Sequence, residues 1–413
     1  MSEQAPWRDT VERVARDSYG RLLAYLAARS RDIAAAEDAL ADAFRIALET
    51  WPSEGVPDKP DAWLMTAARR RLIDQSRRTQ VRRAAEPALA ADGETAAIPL
   101  GDVAFPDERL KLLFVCAHPA VDVAARTPLM LQTVLGLDAA RIASAFLVKP
   151  AAMGQRLSRA KSKIRDAGIA FELPVANDLP ARLGAVLEAI YAAYGSGWDD
   201  VSGADAKRRG LALEAIELGR VLAGLLPNES EVLALLALML FCESRRPARR
   251  GPRGEYVPLS EQDVTQWSRA FIDEAQSLLG AASRRGKLGR FQLEAAIQSV
   301  HALRAERGAV DWDALCLLYD ALLRIAPTIG AAVSRVAAMA EAHGPAAAWQ
   351  ALEALPAAEM DGYQPYWALR ASLLARLQQR SEAASAYERA IGLCSDAPMR
   401  EFLVQRLAAL DAS

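Results

Sequence analysis

Apolar residues recur at three- and four-residue steps over most of the chain, and runs of β-branched residues are few. That spacing is the mark of helices with one buried face. It predicts a helix over roughly 10–29, a second over 33–51 and a third from Pro60 or Asp61 to about Arg78. In the second, Leu40, Ala43, Phe44, Ala47 and Leu48 share one face. In the third, Trp63, Leu64, Ala67, Leu72 and Ile73 supply the apolar contacts. Between them lies a loop punctuated by Pro52, Pro57 and Pro60, the last well placed for a first helical turn. Residues 84–106 are rich in Ala, Gly, Pro and Glu without periodicity and read as a linker.

Residues 107–172 predict three or four short helices, and Pro174 and Pro180 mark a boundary after them. From 181 to 413 helix follows helix. Trp367, Ala371, Leu374, Ala383, Tyr387 and Ala390 sit at the offsets of a tetratricopeptide unit of about 34 residues. Ala215, Leu222 and Pro227, followed by Leu233, Leu236, Ala237 and Leu240, fit the same template. The stretch 260–355 is helical but matches it poorly, so the C-terminal half reads as a degenerate helical-repeat domain. Residues 231–242 are too short an apolar run to cross a membrane and read as a buried helix.

A chain of 413 residues is too long for one core and implies two or three domains. Its formal net charge is only −2, so concentrated positive charge is local. Two stretches hold it. From Lys59 to Arg83 there are eight Lys/Arg against Asp61 and Asp74. Residues 141–165 carry seven Lys/Arg and no acid. In the second stretch a short apolar helix, a turn at Val148-Lys149-Pro150 and a basic helix form a helix-turn-helix pattern, suited to a major groove and its phosphates.

The remaining chemistry-bearing residues are sparse. Cys116, Cys242, Cys316 and Cys394 lie far apart, and His118, His301 and His343 are scattered, so no metal spacing exists. The cysteines read as reduced core residues of a cytoplasmic protein. There is no phosphate-binding glycine loop and no nucleophile with a His partner. We expect no enzyme, no cofactor and no metal. An apolar leader is not expected at the N-terminus, nor a membrane span.

In the first basic helix Trp63 stands beside the proline loop. It either completes a core or stacks on a base that has left the duplex, an interaction of roughly 1–3 kcal/mol per base. The arginines behind it either form a solvated face or hold DNA phosphates. The Arg-rich loop 243–256, with Arg245, Arg246, Arg249, Arg250 and Arg253, reads as a solvated, mobile loop or as a docking element for the 33–51 helix, DNA or a protein partner.

The order of these motifs resembles that of bacterial RNA polymerase sigma factors of the extracytoplasmic-function type carrying a tetratricopeptide-like C-terminal domain. Residues 8–83 are similar to sigma region 2: Ala36-Glu37-Asp38, Asp42-Ala43-Phe44, Ala62-Trp63-Leu64, and Ala68-Arg69-Arg70-Arg71-Leu72-Ile73-Asp74 with Arg77-Arg78. Residues 107–172 are similar to region 4, whose usual V-P-x-G-T-V-K-S-R-L-x-R-A stands here as Val148 through Ala160. The resemblance implies an all-α fold of three parts: 8–83, 107–172 and 181–413.

It also implies partners: the core polymerase, promoter DNA, and an intramolecular contact of the C-terminal domain with the sigma regions. Asp38, Asp42 and Phe44 would meet the polymerase, although Phe44 also suits a buried position. Trp63, Arg69, Arg70, Arg77 and Arg78 would recognise and melt the −10 element. Gln155, Arg156 and Arg159 would read −35 bases, with Lys161 and Lys163 on phosphates. Three positions depart from the family pattern. Arg70 replaces an Asn, Ala152 a Thr and Gly154 a Lys. A second function fits the same residues: a stand-alone helix-turn-helix regulator whose repeat half binds a peptide or small ligand.

Overall fold

The computed structural model describes residues 18–84, 107–146, 148–175, 177–198, 205–356 and 360–411, with positions 7, 10, 11 and 14. The side chains of 75, 76, 78–84, 144, 145, 196–198 and 205–211 lie outside that description, as do residues 85–106, most of the expected linker. The fold is all-α. The described residues contain no strand, only an isolated bridge between Arg250 and Tyr256. Two compact units divide the chain, Met1–Ser196 and Gly197–Ser413.

In the first unit α1 is Tyr19–Ser30, α2 Ile33–Glu54 and α3 Pro60–Ala84. Four shorter helices follow: α4 Arg109–Cys116, α5 Val123–Leu135, α6 Ala139–Ala145 and α7 Pro150–Asp166. Helix α8, Leu179–Trp198, comes next. Helix α2 starts where the Asp32 carboxylate accepts from the amides of Ala34 and Ala35 at 3.0 and 3.1 Å, filling donors that a helix start leaves open. It runs past Pro52 because the carbonyl that proline leaves unbonded belongs to Leu48, on the solvent side. Leu48 is 47% exposed, so the apolar face of α2 is Ile33, Ala36, Leu40, Ala43, Ala47 and Trp51 instead.

Close packing joins the early and late helices of this unit. A Cβ on Gly20 of α1 would lie 1.9 Å from the Val134 carbonyl oxygen of α5, so only glycine fits there. The boundary expected at Pro174 and Pro180 is not where packing stops. Helix α8 buries Leu183, Val186, Leu187, Ile190, Ala193 and Tyr194, and the compact unit ends only at Ser196.

The second unit comprises α9 Asp205–Leu225, α10 Ser230–Ser244, α11 Arg269–Ser283, α12 Arg290–Ala302, α13 Arg304–Arg307, α14 Trp312–Ile325, α15 Ile329–Ala342, α16 Pro345–Glu353, α17 Gln364–Arg376, α18 Arg380–Leu393 and α19 Ala397–Asp411. Helices near one another in sequence pack together in this unit. Helix α10 is buried nearly all round, as its apolar run predicts. Ala371, Leu374, Ala383, Tyr387 and Ala390 meet in one core between α17 and α18.

The Arg-rich loop corrects an expectation. It is not a solvated, mobile run of arginines; it folds onto residues of its own unit. Residues Arg246–Arg249 form a 3₁₀ turn, and Arg246 pairs with Glu243 at 2.7 Å, both side chains 6% exposed. Arg250 reaches Asp396 at 2.7 Å, and Tyr256 meets the Phe402 ring edge-on at 5.5 Å.

Candidate nucleic-acid and polymerase interface

The two basic helices, α3 and α7, both contact α2, and α2 carries the acids. On the α3 side, Arg71 lies 3.7 Å from Asp42, which also lies 3.6 Å from Arg45. On the α7 side, the Lys161 ammonium pairs with Glu37, and Arg165 lies 3.8 Å from Asp32. Asp38 is exposed, and Asp42 and Phe44 are half-buried. Phe44 is thus neither a core residue nor fully presented to solvent.

Helix α3 opens on Asp61, whose carboxylate accepts from Ser18 Oγ at 2.9 Å. Leu64, Met65 and Ala68 point inward and leave the arginines outward. Arg70 and Arg77 are exposed, Arg69 is half-buried, and none of the three has a carboxylate partner among the described residues. Arg78's side chain lies outside the described residues. Trp63 is half-buried, its ring edge-on to that of Trp51 with centroids 5.5 Å apart. Trp51 is 3% exposed and its indole N–H has no partner among the described residues. Sequence spacing did not single out Trp51, although it stands beside the proline loop.

Helix α7 begins with Pro150 at a position where its missing N–H is not needed. Met153, Leu157, Ala160 and Ile164 form its buried stripe. With about 100° of rotation per residue, the remaining side chains fall on two flanks. Arg156, Arg159 and Lys163 share one, and Lys161 and Arg165 the other. The first flank has no acid within ion-pair distance among the described residues. The second faces α2. Gln155, opposite the stripe, is exposed. The structure therefore separates Lys161 from Lys163. Lys163 is exposed, while Lys161 is 10% exposed and engaged by Glu37.

Burial raises the Glu37 carboxyl above its ordinary range, and Lys161 only partly opposes that shift. Among the described residues, one oxygen of Glu37 has no hydrogen-bond donor, and neither has the buried side-chain oxygen of Gln132 on α5. A cleft of about 270 Å³ lies at this contact, lined by Ala34, Gln132, Gly154, Ser158, Lys161 and Arg165 among others. No group of His, Cys, Asp and Glu suited to a metal ion exists among the described residues, and no described helix is long and apolar enough to cross a membrane.

Comparisons with known proteins agree with this layout. Residues 14–82 match sigma-70 region 2, and residues 182–283 match a family of unknown function, DUF6596. An uncharacterized protein of Rhizobium meliloti (strain 1021) is 38% identical over 98% of this chain and 96% of its own length. No solved structure matches. The chain therefore belongs to one family with this Rhizobium protein, and its N-terminal sigma-70 region 2 gives it a sigma-factor-like role in transcription initiation, with RNA polymerase core and promoter DNA as partners.

Proposed function

We propose that the protein is a bacterial sigma factor of the extracytoplasmic-function type that recruits core RNA polymerase to specific promoters and melts the −10 region. The observation that carries this reading is the placement of the sigma-70 region 2 match. It falls on α1 to α3, where the acid-bearing α2 lies beside the basic α3. In this reading Asp38, Asp42 and Phe44 dock on the polymerase. Trp63, Arg69, Arg70, Arg77 and Arg78 take the −10 strand, and Trp63 with its neighbour Trp51 supplies an aromatic step beside residues 52–59. Stacking and phosphate contacts there offset an unstacking cost of a few kcal/mol, with no nucleotide hydrolysis. Helices α6 and α7 act as a helix-turn-helix on the −35 element through Gln155, Arg156, Arg159 and Lys163, and Lys161 joins them only where its pair with Glu37 opens. The protein works in the cytoplasm, and its C-terminal helical array, built of tetratricopeptide-like hairpins, modulates activity.

Run-off transcription with purified core polymerase and genomic fragments tests the reading. Promoter-specific transcripts that depend on added protein support it. Tight binding to duplex DNA alone, with no conversion of core enzyme, would instead identify a stand-alone regulator.

A further inference from the structure

Helix α8 belongs to two descriptions at once. By sequence, the family of unknown function begins at Arg182, inside α8. By packing, α8 belongs to the N-terminal unit, which ends at Ser196. The helices it meets explain this. In α4, Leu112, Leu113, Phe114, Val115 and Cys116 are all buried. In α5, Thr127, Pro128, Leu129, Met130 and Leu131 are all buried. Five consecutive buried residues exceed one helical turn, so each helix is enclosed on every side. Beyond their mutual contact and α1, α6 and α7 cover part of α5, and α8 reaches both α4 and α5 through hydrogen bonds.

The cover is specific in chemistry as well as shape. The apolar stripe of α8 repeats at three- and four-residue steps: Leu183, Val186, Leu187, Ile190, Ala193 and Tyr194. The Arg182 guanidinium donates to the Phe114 carbonyl at 2.7 Å, a backbone oxygen near the end of α4. From the other side, the buried Thr127 hydroxyl of α5 donates to the Ala189 carbonyl at 2.8 Å. A hydroxyl enclosed at 6% exposure needs that acceptor.

We propose that the first helix of this family of unknown function is a docking element whose partner is the α4–α5 helix pair. The helix with which that family begins is thereby part of the reading unit. Docking stands on packing alone; only its consequence for promoter reading rests on the function proposed above.

The test is a nick in the full-length protein. A protease recognition sequence placed at Glu172–Val175, where Glu172, Leu173 and Val175 are exposed, allows cleavage between α7 and α8 after folding. The two fragments are expected to co-elute in size exclusion as one species. Ile190→Asp, which places a charge at a fully buried contact, should separate them. Arg182→Met, milder and without an added buried charge, should weaken their association about tenfold. In the uncut chain, Ile190→Asp should also speed amide exchange at 112–116 and 127–131 at least tenfold. Separation of the wild-type fragments overturns the proposal, as does co-elution unaffected by both substitutions. Failure of run-off transcription with docking intact would overturn the sigma-factor reading and leave this one standing.

Discussion

Lys161 on α7 and Glu37 on α2 form a largely enclosed ion pair across 124 positions of sequence. One of the cations on the basic helix is thus neutralised by the acidic helix before any DNA arrives. Its neighbour two residues on, Lys163, is not.

Removing either partner of that pair strands the other. Lys161→Met should destabilise the N-terminal unit by about 1–3 kcal/mol, because it leaves Glu37 enclosed without its cation. The Glu37→Gln, Lys161→Met double variant should lose less than Lys161→Met alone. Urea unfolding of the four proteins of the cycle measures this, and an additive double variant would show that the pair contributes nothing.

The same pair divides two lysines that sequence alone treats alike. Lys163→Ala should weaken promoter binding nearly uniformly across sequences and lower its salt slope by about one ion. Lys161→Ala should lower the slope less, and Glu37→Gln should strengthen duplex binding. Equal slopes for the two lysine variants would mean that the pair opens whenever DNA binds.

Arg156 lies on the flank of α7 that faces no acid. Arg156→Ala should relax selectivity at one or two base pairs, by about 1–3 kcal/mol of discrimination, whereas Lys163→Ala should preserve the ranking of promoter variants. Binding to a panel of single-base promoter variants separates the two outcomes.

His301 in the second unit carries a pH dependence of known sign. Burial, with Arg245 and Arg304 nearby, pushes its pKa down from 6.5 to about 4. Between those values the unfolded chain holds a proton there that the folded chain does not. Stability from this residue is therefore full above about pH 6.5 and lost as the pH falls towards 4, by about 2–3 kcal/mol. His301→Gln should remove that slope. Urea midpoints for the second unit, compared between the two proteins at pH 7, 5.5 and 4.5, check it.

Two glycines should respond in opposite directions. A Cβ on Gly154, inside α7, would meet nothing within 4 Å, so Gly154→Ala should stabilise by up to about 1 kcal/mol. Gly20→Ala would drive a methyl into the Val134 carbonyl and should destabilise clearly. Thermal melts of both variants decide the point.

The periodicity of the sequence placed α2, α3 and α7 within a few residues of their bounds, and it placed the apolar run at α10. It misplaced Leu48, because a helix in contact on two sides presents a broad stripe whose edge periodicity does not define. It left Trp63 between core and surface, and the structure puts it between them, against a Trp51 that spacing did not mark. The Arg-rich loop was misread because Asp396, the partner of Arg250, lies 146 positions away and is invisible to a local count of charge. The boundary after Pro174 and Pro180 falls just before the family match that begins at Arg182, whereas the compact unit runs on to Ser196. Prolines report where a helix starts, and the packing of α8 on α4 and α5 reports where a unit ends.

Composition and spacing by themselves determined that the chain is helical, that its positive charge gathers on two helices, and that an acidic helix precedes the first. Those are local properties, set by side-chain chemistry and a repeat near 3.6 residues. Only the tertiary structure decided which cations are already paired, which flank of α7 stays open and which unit owns α8. Each of these depends on distances between residues far apart in sequence, and a helical pattern encodes a face but not the partner that covers it.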